Sequence, residues 1–173
     1  MDDLRRYIRD VPDFPRKGIV FKDITPLLNE PSALGQAVAW MSGRIPRPGG
    51  VVAIESRGFV FGTALALHWR VPLVLARKSG KLPGRTVRQV YSLEYGDDAL
   101  ELHADALAPG QPVAVVDDLL ATGGTALATV RLVEQLQARV MGVLFLIELL
   151  GLGGRERLAG YPVEALLPYA VQE

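Results

Sequence analysis

The chain has 173 residues, of which 49% are hydrophobic, and its 19 basic residues balance 19 acidic ones. A chain of this length removes roughly 70% of its unfolded surface from water, so it can form a core without disulfides or metals. Zero net charge argues against a protein that wraps nucleic acid or coats anionic lipid, because both partners attract a basic surface. We therefore expect one soluble domain, with no nucleic-acid or membrane partner.

Two absences narrow the class of protein further. Cysteine does not occur, which excludes disulfides, thiolate metal ligands and a thiol nucleophile. The first residues, MDDLRRYIRD, are charged and lack the apolar run of a signal peptide, and no run reaches about 18 apolar residues. We expect a cytoplasmic protein.

The first segment without a regular period is 11–30, VPDFPRKGIVFKDITPLLNE. Its prolines argue against regular helix or sheet, since proline lacks the backbone N–H and has a fixed φ. The segment also carries Phe14, Ile19, Val20 and Phe21. We expect it to form an ordered, packed cap.

Four runs rich in Val, Ile and Leu predict strands at 51–54, 71–76, 113–116 and 140–147. They are nearly continuous in apolar residues, which is typical of strands covered on both faces. Helical patterns follow the first and third runs, at 59–69 and 125–138. This alternation predicts an α/β fold, a single domain over 1–173 with a mostly parallel twisted sheet flanked by helices.

The segment 77–93, RKSGKLPGRTVRQVYSL, interrupts this alternation. It contains five basic residues, two glycines and a proline, but no acidic residue. The pattern indicates either a mobile loop with a function or a solvated hairpin. Arg is the usual basic residue of this chain, so Lys78 and Lys81 favour a compact charge on a flexible stem that can move onto a phosphate.

The carboxyl ends of parallel strands are where such sheets bind ligands. The run 113–116 is followed by Asp117 and Asp118 and then by LLATGGT, which opens a helix. Glycines, free N–H groups and threonine hydroxyls at a helix N-terminus predict a phosphate cradle. Two adjacent carboxylates would repel a polyphosphate, so we expect them to accept hydrogen bonds from hydroxyls such as those of a ribose.

A second anion site is predicted after the run 51–54, where Ser56, Arg57 and Gly58 open the next helix. Free N–H groups and a guanidinium can hold a second phosphate there. Neither a P-loop nor a dinucleotide-binding glycine pattern occurs. His68 and His103 have no second ligand at metal-binding spacing, so we predict no metal held by the protein itself.

These motifs resemble a known family. VVDDLLATGGT at 115–125 resembles the 5-phosphoribosyl 1-diphosphate (PRPP) signature of type I phosphoribosyltransferases. Four further segments, in order along nearly the whole chain, resemble adenine phosphoribosyltransferases: PDFPRKGIVFKDITPLL (12–28), ESRGF (55–59), RKSGKLPG (77–84) and YSLEYG (91–96). The resemblance implies the type I phosphoribosyltransferase fold, with a small N-terminal hood at about 11–30 and a flexible catalytic loop at about 77–95.

The resemblance also implies an activity, which is transfer of the phosphoribosyl group from PRPP to N9 of adenine. The products would be AMP and pyrophosphate. Mg²⁺ would be bound mainly through PRPP and pyrophosphate, and the enzyme would be a homodimer. Adenine must lose an imidazole proton, and Glu94 near N7 could accept it.

By position, the resemblance assigns the site residues. The ribose hydroxyls and the 5-phosphate would contact Asp117, Asp118, Ala121, Thr122, Gly123, Gly124 and Thr125. Pyrophosphate would face Ser56, Arg57, Arg77, Lys78 and Lys81. The hood over adenine would include Val20, Phe21 and Lys22, and the catalytic loop would carry Glu94 and Tyr95.

Two positions depart from the family pattern, because Ser79 replaces a usual Pro and Val90 a usual Ser. They put the dynamics of the loop in question, although no charged position is lost. Two alternatives stay open. One is a phosphoribosyltransferase for another base, such as hypoxanthine, guanine, xanthine or orotate, and the other is a PRPP-sensing regulator without catalysis.

Overall fold

The computed structural model describes residues 4–93 and 96–171. These residues divide into two compact units, with the boundary between Trp40 and Met41. Within the described part of the chain, no helix is long and apolar enough to cross a membrane.

The first unit contains a small antiparallel sheet. A 3-10 turn at Leu4–Tyr7 precedes β1 (Arg9–Pro12), which pairs with β2 (Val20–Asp23), and two helices follow, α1 (Thr25–Leu28) and α2 (Pro31–Ser42). The expectation that 11–30 lacks regular structure is therefore wrong. Its prolines are tolerated because Pro12 ends a strand and Pro26 lies in the first turn of a helix.

The second unit is built on one seven-stranded sheet. Its elements are β3 (Gly50–Ile54), α3 (Gly58–Trp69), β4 (Leu73–Lys78), β5 (Thr86–Leu93), β6 (Gly96–His103), β7 (Pro112–Leu120), α4 (Gly124–Gln135), β8 (Arg139–Leu150), α5 (Gly154–Arg157) and β9 (Val163–Ala170). The strand order is β5-β6-β4-β3-β7-β8-β9. The strands β4-β3-β7-β8-β9 are parallel to their neighbours in this order. Strand β6 pairs antiparallel with β4 on one side and with β5 on the other. The mostly parallel sheet predicted from the sequence is confirmed.

The core of this unit follows from the apolar runs. Residues 51–54, 113–116 and 143–147 are all buried, as expected of strands covered on both faces. Strand β7 is longer than its apolar run and continues to Leu120. Asp117 and Asp118 therefore lie within the last four residues of β7, and the strand fixes their backbone.

The basic segment 77–93 has regular structure over about half its length. Residues of β5 pair with β6 from Thr86↔His103 to Leu93↔Gly96, in an antiparallel hairpin. The Gln135 amide on α4 donates a hydrogen bond to Gln89 of β5 at 2.8 Å, so the hairpin also contacts a helix of the sheet's flank. Of the two interpretations of this segment, the structure corresponds to the hairpin.

Candidate active site

A pocket of about 330 Å³ lies at the carboxyl ends of the neighbouring strands β4, β3 and β7. It is lined by one hydrophobic residue and nine polar or charged ones: Glu55, Ser56, Arg57, Lys78, Tyr91, Asp98, Leu100, Asp117, Asp118 and Thr125. The parallel strands bring together residues that are up to 70 positions apart in the chain. The pocket contains Ser56 and Arg57 of the second predicted anion site and both predicted carboxylates, and of the predicted phosphate cradle it contains Thr125.

The acidic pair is held by its own backbone and by Arg57. The Asp118 N–H donates to Asp117 Oδ1 at 2.8 Å, and Arg57 Nη2 lies 2.7 Å from Asp118 Oδ2. Burial, and then the neighbouring charge of Asp118, raise the pKa of Asp117 well above its usual range. Burial also raises the pKa of Asp118, although Arg57 opposes this shift. Ionising both carboxylates is therefore unfavourable here, and hydrogen bonds donated by hydroxyls would offset part of that cost.

Gly58 allows the first turn of α3 to lie against this pair. A Cβ at position 58 would be 2.7 Å from Asp117 Oδ1 and 3.0 Å from Asp117 Cα. A side chain there would displace the carboxylate. The glycine of the predicted Ser-Arg-Gly anion site therefore also shapes the acidic site on the neighbouring strand.

The predicted phosphate cradle forms a second pocket of about 170 Å³, lined by Asp117 and by residues 119–126. Gly123 has φ of 77° and precedes the first helical residue of α4. This left-handed conformation favours glycine. The first N–H groups of a helix have no partner within the helix, so those of α4 are free to bind an anion in the cradle. The structure thus brings the predicted residues from Ala121 to Thr125 together around one cavity.

Glu55 organises the cations of the basic segment. Its carboxylate accepts hydrogen bonds from Lys81 Nζ at 2.6 Å, from Arg77 Nε at 3.2 Å and from the Lys78 N–H at 2.9 Å. Burial works to raise the pKa of Glu55, but the bonds from Lys81, Lys78 and Arg77 together lower it. The basic segment lacks acidic residues of its own, and its counter-charge comes from the end of β3.

Asp98 provides the counter-charge for the remaining lysine. Lys78 Nζ lies 3.0 Å from Asp98 Oδ2, and the Tyr91 hydroxyl donates to the same oxygen at 3.2 Å. The hydrogen bond between Lys78 and Asp98 raises the pKa of the lysine and lowers that of the carboxylate. Sequence reasoning missed Asp98, although a hairpin register pairing Tyr91 with Asp98 would have placed it here.

The predicted hood residues lie on β2 in the first unit. The Phe21 ring packs edge-on against Phe14 with centroids 5.2 Å apart, and Lys22 forms an ion pair with Asp10 at 2.7 Å. Val20 is 42% exposed and Phe14 is 51% exposed. Glu94 and Tyr95 lie outside the described residues, so their assigned positions remain predictions.

Comparisons with known proteins agree with this geometry. The family model described as a phosphoribosyl transferase domain matches residues 47–163. An adenine phosphoribosyltransferase of Carboxydothermus hydrogenoformans is 52% identical over 169 residues, covering 96% of this chain and 99% of the relative. The chain belongs to the adenine phosphoribosyltransferase family. The family resemblance drawn from the motifs is thereby confirmed.

Solved structures of the family share the fold. The crystal structure of an adenine phosphoribosyltransferase from Thermoanaerobacter pseudethanolicus has a TM-score of 0.93 and 45% identity, covering 96% of this chain and 98% of that one. The enzyme from Saccharomyces cerevisiae, complexed with D-2,5-dideoxy-2,5-imino-altritol 1,6-bisphosphate and adenine, has a TM-score of 0.88 and 37% identity, covering 95% and 96%. The predicted type I phosphoribosyltransferase fold is confirmed for this member of the family.

Proposed function

We propose that the protein transfers the 5-phosphoribosyl group of PRPP to N9 of adenine and releases AMP and pyrophosphate. The observation that carries this proposal is the acidic pair Asp117 and Asp118, which adjoins a glycine cradle on one side and a set of cations on the other. A phosphorylated ribose presents hydroxyls between two phosphate-bearing ends in the same order. The yeast relative, crystallised with a bisphosphate and adenine, supports the same substrates.

Different residues of the two pockets bind different parts of PRPP. Asp117 and Asp118 accept hydrogen bonds from the 2′ and 3′ hydroxyls, and residues 121–125 bind the 5-phosphate. Arg57, with Ser56 beside it, binds an oxygen of the diphosphate. The C1′–O1 bond breaks and the N9–C1′ bond forms, so positive charge develops on the ribose and negative charge on pyrophosphate.

The cations of the basic segment stabilise that leaving group. Lys78, Lys81 and Arg77 are held near the pocket by Glu55 and Asp98, and we propose that they exchange these carboxylates for pyrophosphate oxygens. Such an exchange places positive charge where the transition state becomes negative. The proton on the imidazole ring of adenine passes to Glu94, directly or through a water molecule.

The residues present fit a substrate-borne magnesium ion. Mg²⁺ prefers octahedral oxygen ligands and usually binds through one or two carboxylates together with substrate phosphates. Among the described residues no cluster of three or more metal-ligating side chains occurs, whereas Asp117 and Asp118 offer carboxylate oxygens beside the ribose position. PRPP and pyrophosphate oxygens would hold the ion, which neutralises charge on the leaving group.

A direct assay tests this function. The purified protein is incubated with PRPP, Mg²⁺ and one nucleobase at a time, and the mononucleotide product is identified. We expect AMP from adenine. Formation of another mononucleotide in preference to AMP would overturn the adenine assignment. If none of the bases yields a mononucleotide although the protein still binds PRPP, a PRPP-sensing regulator is favoured. A salt-dependent shift of DNA in an electrophoretic binding assay would then test that function.

The hood is expected to select adenine through its backbone. Adenine has a donor at N6 and an acceptor at N1, and hypoxanthine has the reverse, so an amide and a carbonyl at Val20 and Phe21 distinguish them. Val20→Ala removes no hydrogen bond, and its preference for adenine over hypoxanthine in kcat/KM should stay within about tenfold of wild type. Conversion of the variant into a hypoxanthine enzyme would show that the side chain determines selectivity.

The basic segment is expected to close on the substrate. Without a ligand its cations are half-exposed, while the Glu55 carboxylate that holds Arg77 and Lys81 is 7% exposed and that of Asp98 is 23% exposed. We predict that amide hydrogen exchange over 77–93 slows when PRPP and Mg²⁺ bind, because pyrophosphate supplies a multivalent counter-charge. Exchange that is equally slow with and without PRPP would contradict closure.

We also propose a cytoplasmic homodimer, as the family resemblance implies. Analytical ultracentrifugation at assay concentrations tests the dimer, and cell fractionation tests the location.

A further inference from the structure

We propose that Glu148 and Arg155 are positioning residues for the phosphate cradle. Their ion pair holds the turn at residues 151–154, here called the buttress, against the backbone of the cradle. This inference rests on the proposed function, because it assigns a supporting structure to the 5-phosphate site of the same reaction.

The buttress and the cradle touch backbone to backbone. A Cβ on Gly123 would lie 2.8 Å from the carbonyl oxygen of Gly154. A Cβ on Gly154 would overlap the carbonyl oxygen of Ala121 and lie 2.9 Å from Leu120 Cδ1. No side chain separates the two segments at these points. A displacement of the buttress therefore moves the backbone that lines the cradle.

Arg155 fixes the buttress to the sheet. Its guanidinium donates to both carboxylate oxygens of Glu148, at 2.9 Å and 2.5 Å, and to the carbonyl oxygen of Val163 at 2.8 Å. The Glu148 side chain is 7% exposed and lies near the end of β8, and Val163 begins β9. A bidentate guanidinium–carboxylate pair restricts both distance and orientation, which a lysine cannot do.

Glu148 also lies beside the end of β7, the strand that leads into the cradle. In the sheet register Glu148 is the partner of Leu120, the residue directly before Ala121. A phosphate site made of backbone N–H groups cannot adjust by changing rotamers, so its affinity depends on where the backbone is held. Arg155 is not among the residues that line either described pocket, so it acts on the phosphate through the buttress.

A pair of glycine variants separates contact with the cradle from backbone strain. Gly154→Ala introduces a methyl group that must displace Ala121. Gly110→Ala, outside the buttress, is the matched control, because Gly110 has φ of 75° but open space around its Cβ position, so alanine causes local strain only. Arg155→Lys keeps the charge and removes the bidentate geometry. Circular dichroism and thermal melting establish the folded fraction of each variant.

The measurements are KM for PRPP, KM for adenine, kcat, and the calorimetric Kd for ribose 5-phosphate. For Gly154→Ala and Arg155→Lys we expect KM for PRPP and Kd for ribose 5-phosphate to rise about tenfold or more, with KM for adenine within about twofold. Gly110→Ala should stay near wild type in both. Because ribose 5-phosphate binding requires no transfer step, it tests the buttress separately from the reaction.

Several outcomes would overturn the inference. One is unchanged ribose 5-phosphate affinity in folded Arg155→Lys, which applies even if Gly154→Ala fails to fold. Another is an equal rise of KM for both substrates, which indicates general loosening. A wild-type protein that binds ribose 5-phosphate but forms no AMP would contradict the proposed function. The Kd values of the variants for ribose 5-phosphate would still decide the role of the buttress. Failure of the wild type to bind ribose 5-phosphate would overturn the buttress inference, whereas AMP formation alone decides the proposed function.

Discussion

Glu94→Gln is expected to lower kcat by roughly 10² to 10⁴ while leaving the affinity for PRPP nearly constant. Glu94 is the only carboxylate between residues 56 and 96, and it lies at the end of the cationic segment. Loop closure would bring it to the base and exclude water in one movement. Gln has nearly the same shape but cannot accept the imidazole proton.

The rival role for Glu94 is a clasp that pairs with Arg77 or Arg88 to hold the loop. Arg77 donates to Glu55 in the structure, which leaves Arg88 as the better candidate for such a clasp. If Glu94 is only a clasp, Gln retains much of the hydrogen bonding, kcat falls less than about tenfold, and KM for PRPP changes instead. Glu156→Gln, at an exposed position, is the matched control. Near-normal kcat under chemistry-limited conditions would refute a proton-transfer role.

Asp117→Asn combined with Asp118→Asn should weaken PRPP binding by about 10² to 10⁴, with adenine affinity nearly unchanged. Each hydrogen bond from a ribose hydroxyl to a carboxylate contributes about 1.5 to 3 kcal/mol, and two such bonds are lost. Titration calorimetry with PRPP measures the change. Asp105→Asn removes an exposed carboxylate elsewhere and is the control. Unchanged PRPP affinity in the double variant would remove the ribose assignment.

The raised pKa of Asp117 allows weaker PRPP binding in an Asn variant to be distinguished from a loss of folding. The folded-state pKa of Asp117 lies above its unfolded value, so its favourable contribution to stability is complete at low pH and is lost as the pH rises through the folded pKa. Above that pKa the ionised Asp117 costs stability, and Asn at this position removes that cost. We expect the single variant Asp117→Asn to melt at or above the wild-type temperature, and a large decrease would contradict the burial described here.

The parts predicted from the sequence are those that depend on neighbours in the chain. Residues 117–125 are contiguous, so an acidic pair, two glycines and a helix start could be recognised together. The pairs of Glu55 with Lys81, and of Lys78 with Asp98, join residues at least 20 positions apart. They depend on which strands become neighbours, and hydrophobic periodicity does not contain that information. The role that we propose for Arg155 depends in the same way on the pairing of β7 with β8, so it could not be predicted from the sequence either.

The paired cations have a consequence for how the substrate reaches the pocket. Arg57, Arg77, Lys78 and Lys81 lie 2.6 to 3.2 Å from the carboxylates of Asp118, Glu55 and Asp98, so three negative charges offset all but one of the four positive charges. A polyanion in bulk water therefore meets a nearly neutral entrance, and long-range electrostatic steering has little to act on. The attraction for diphosphate is local and becomes available only when a carboxylate is displaced. Selection against other cellular polyanions thus takes place at contact distance, where shape and the ribose hydroxyls are also tested.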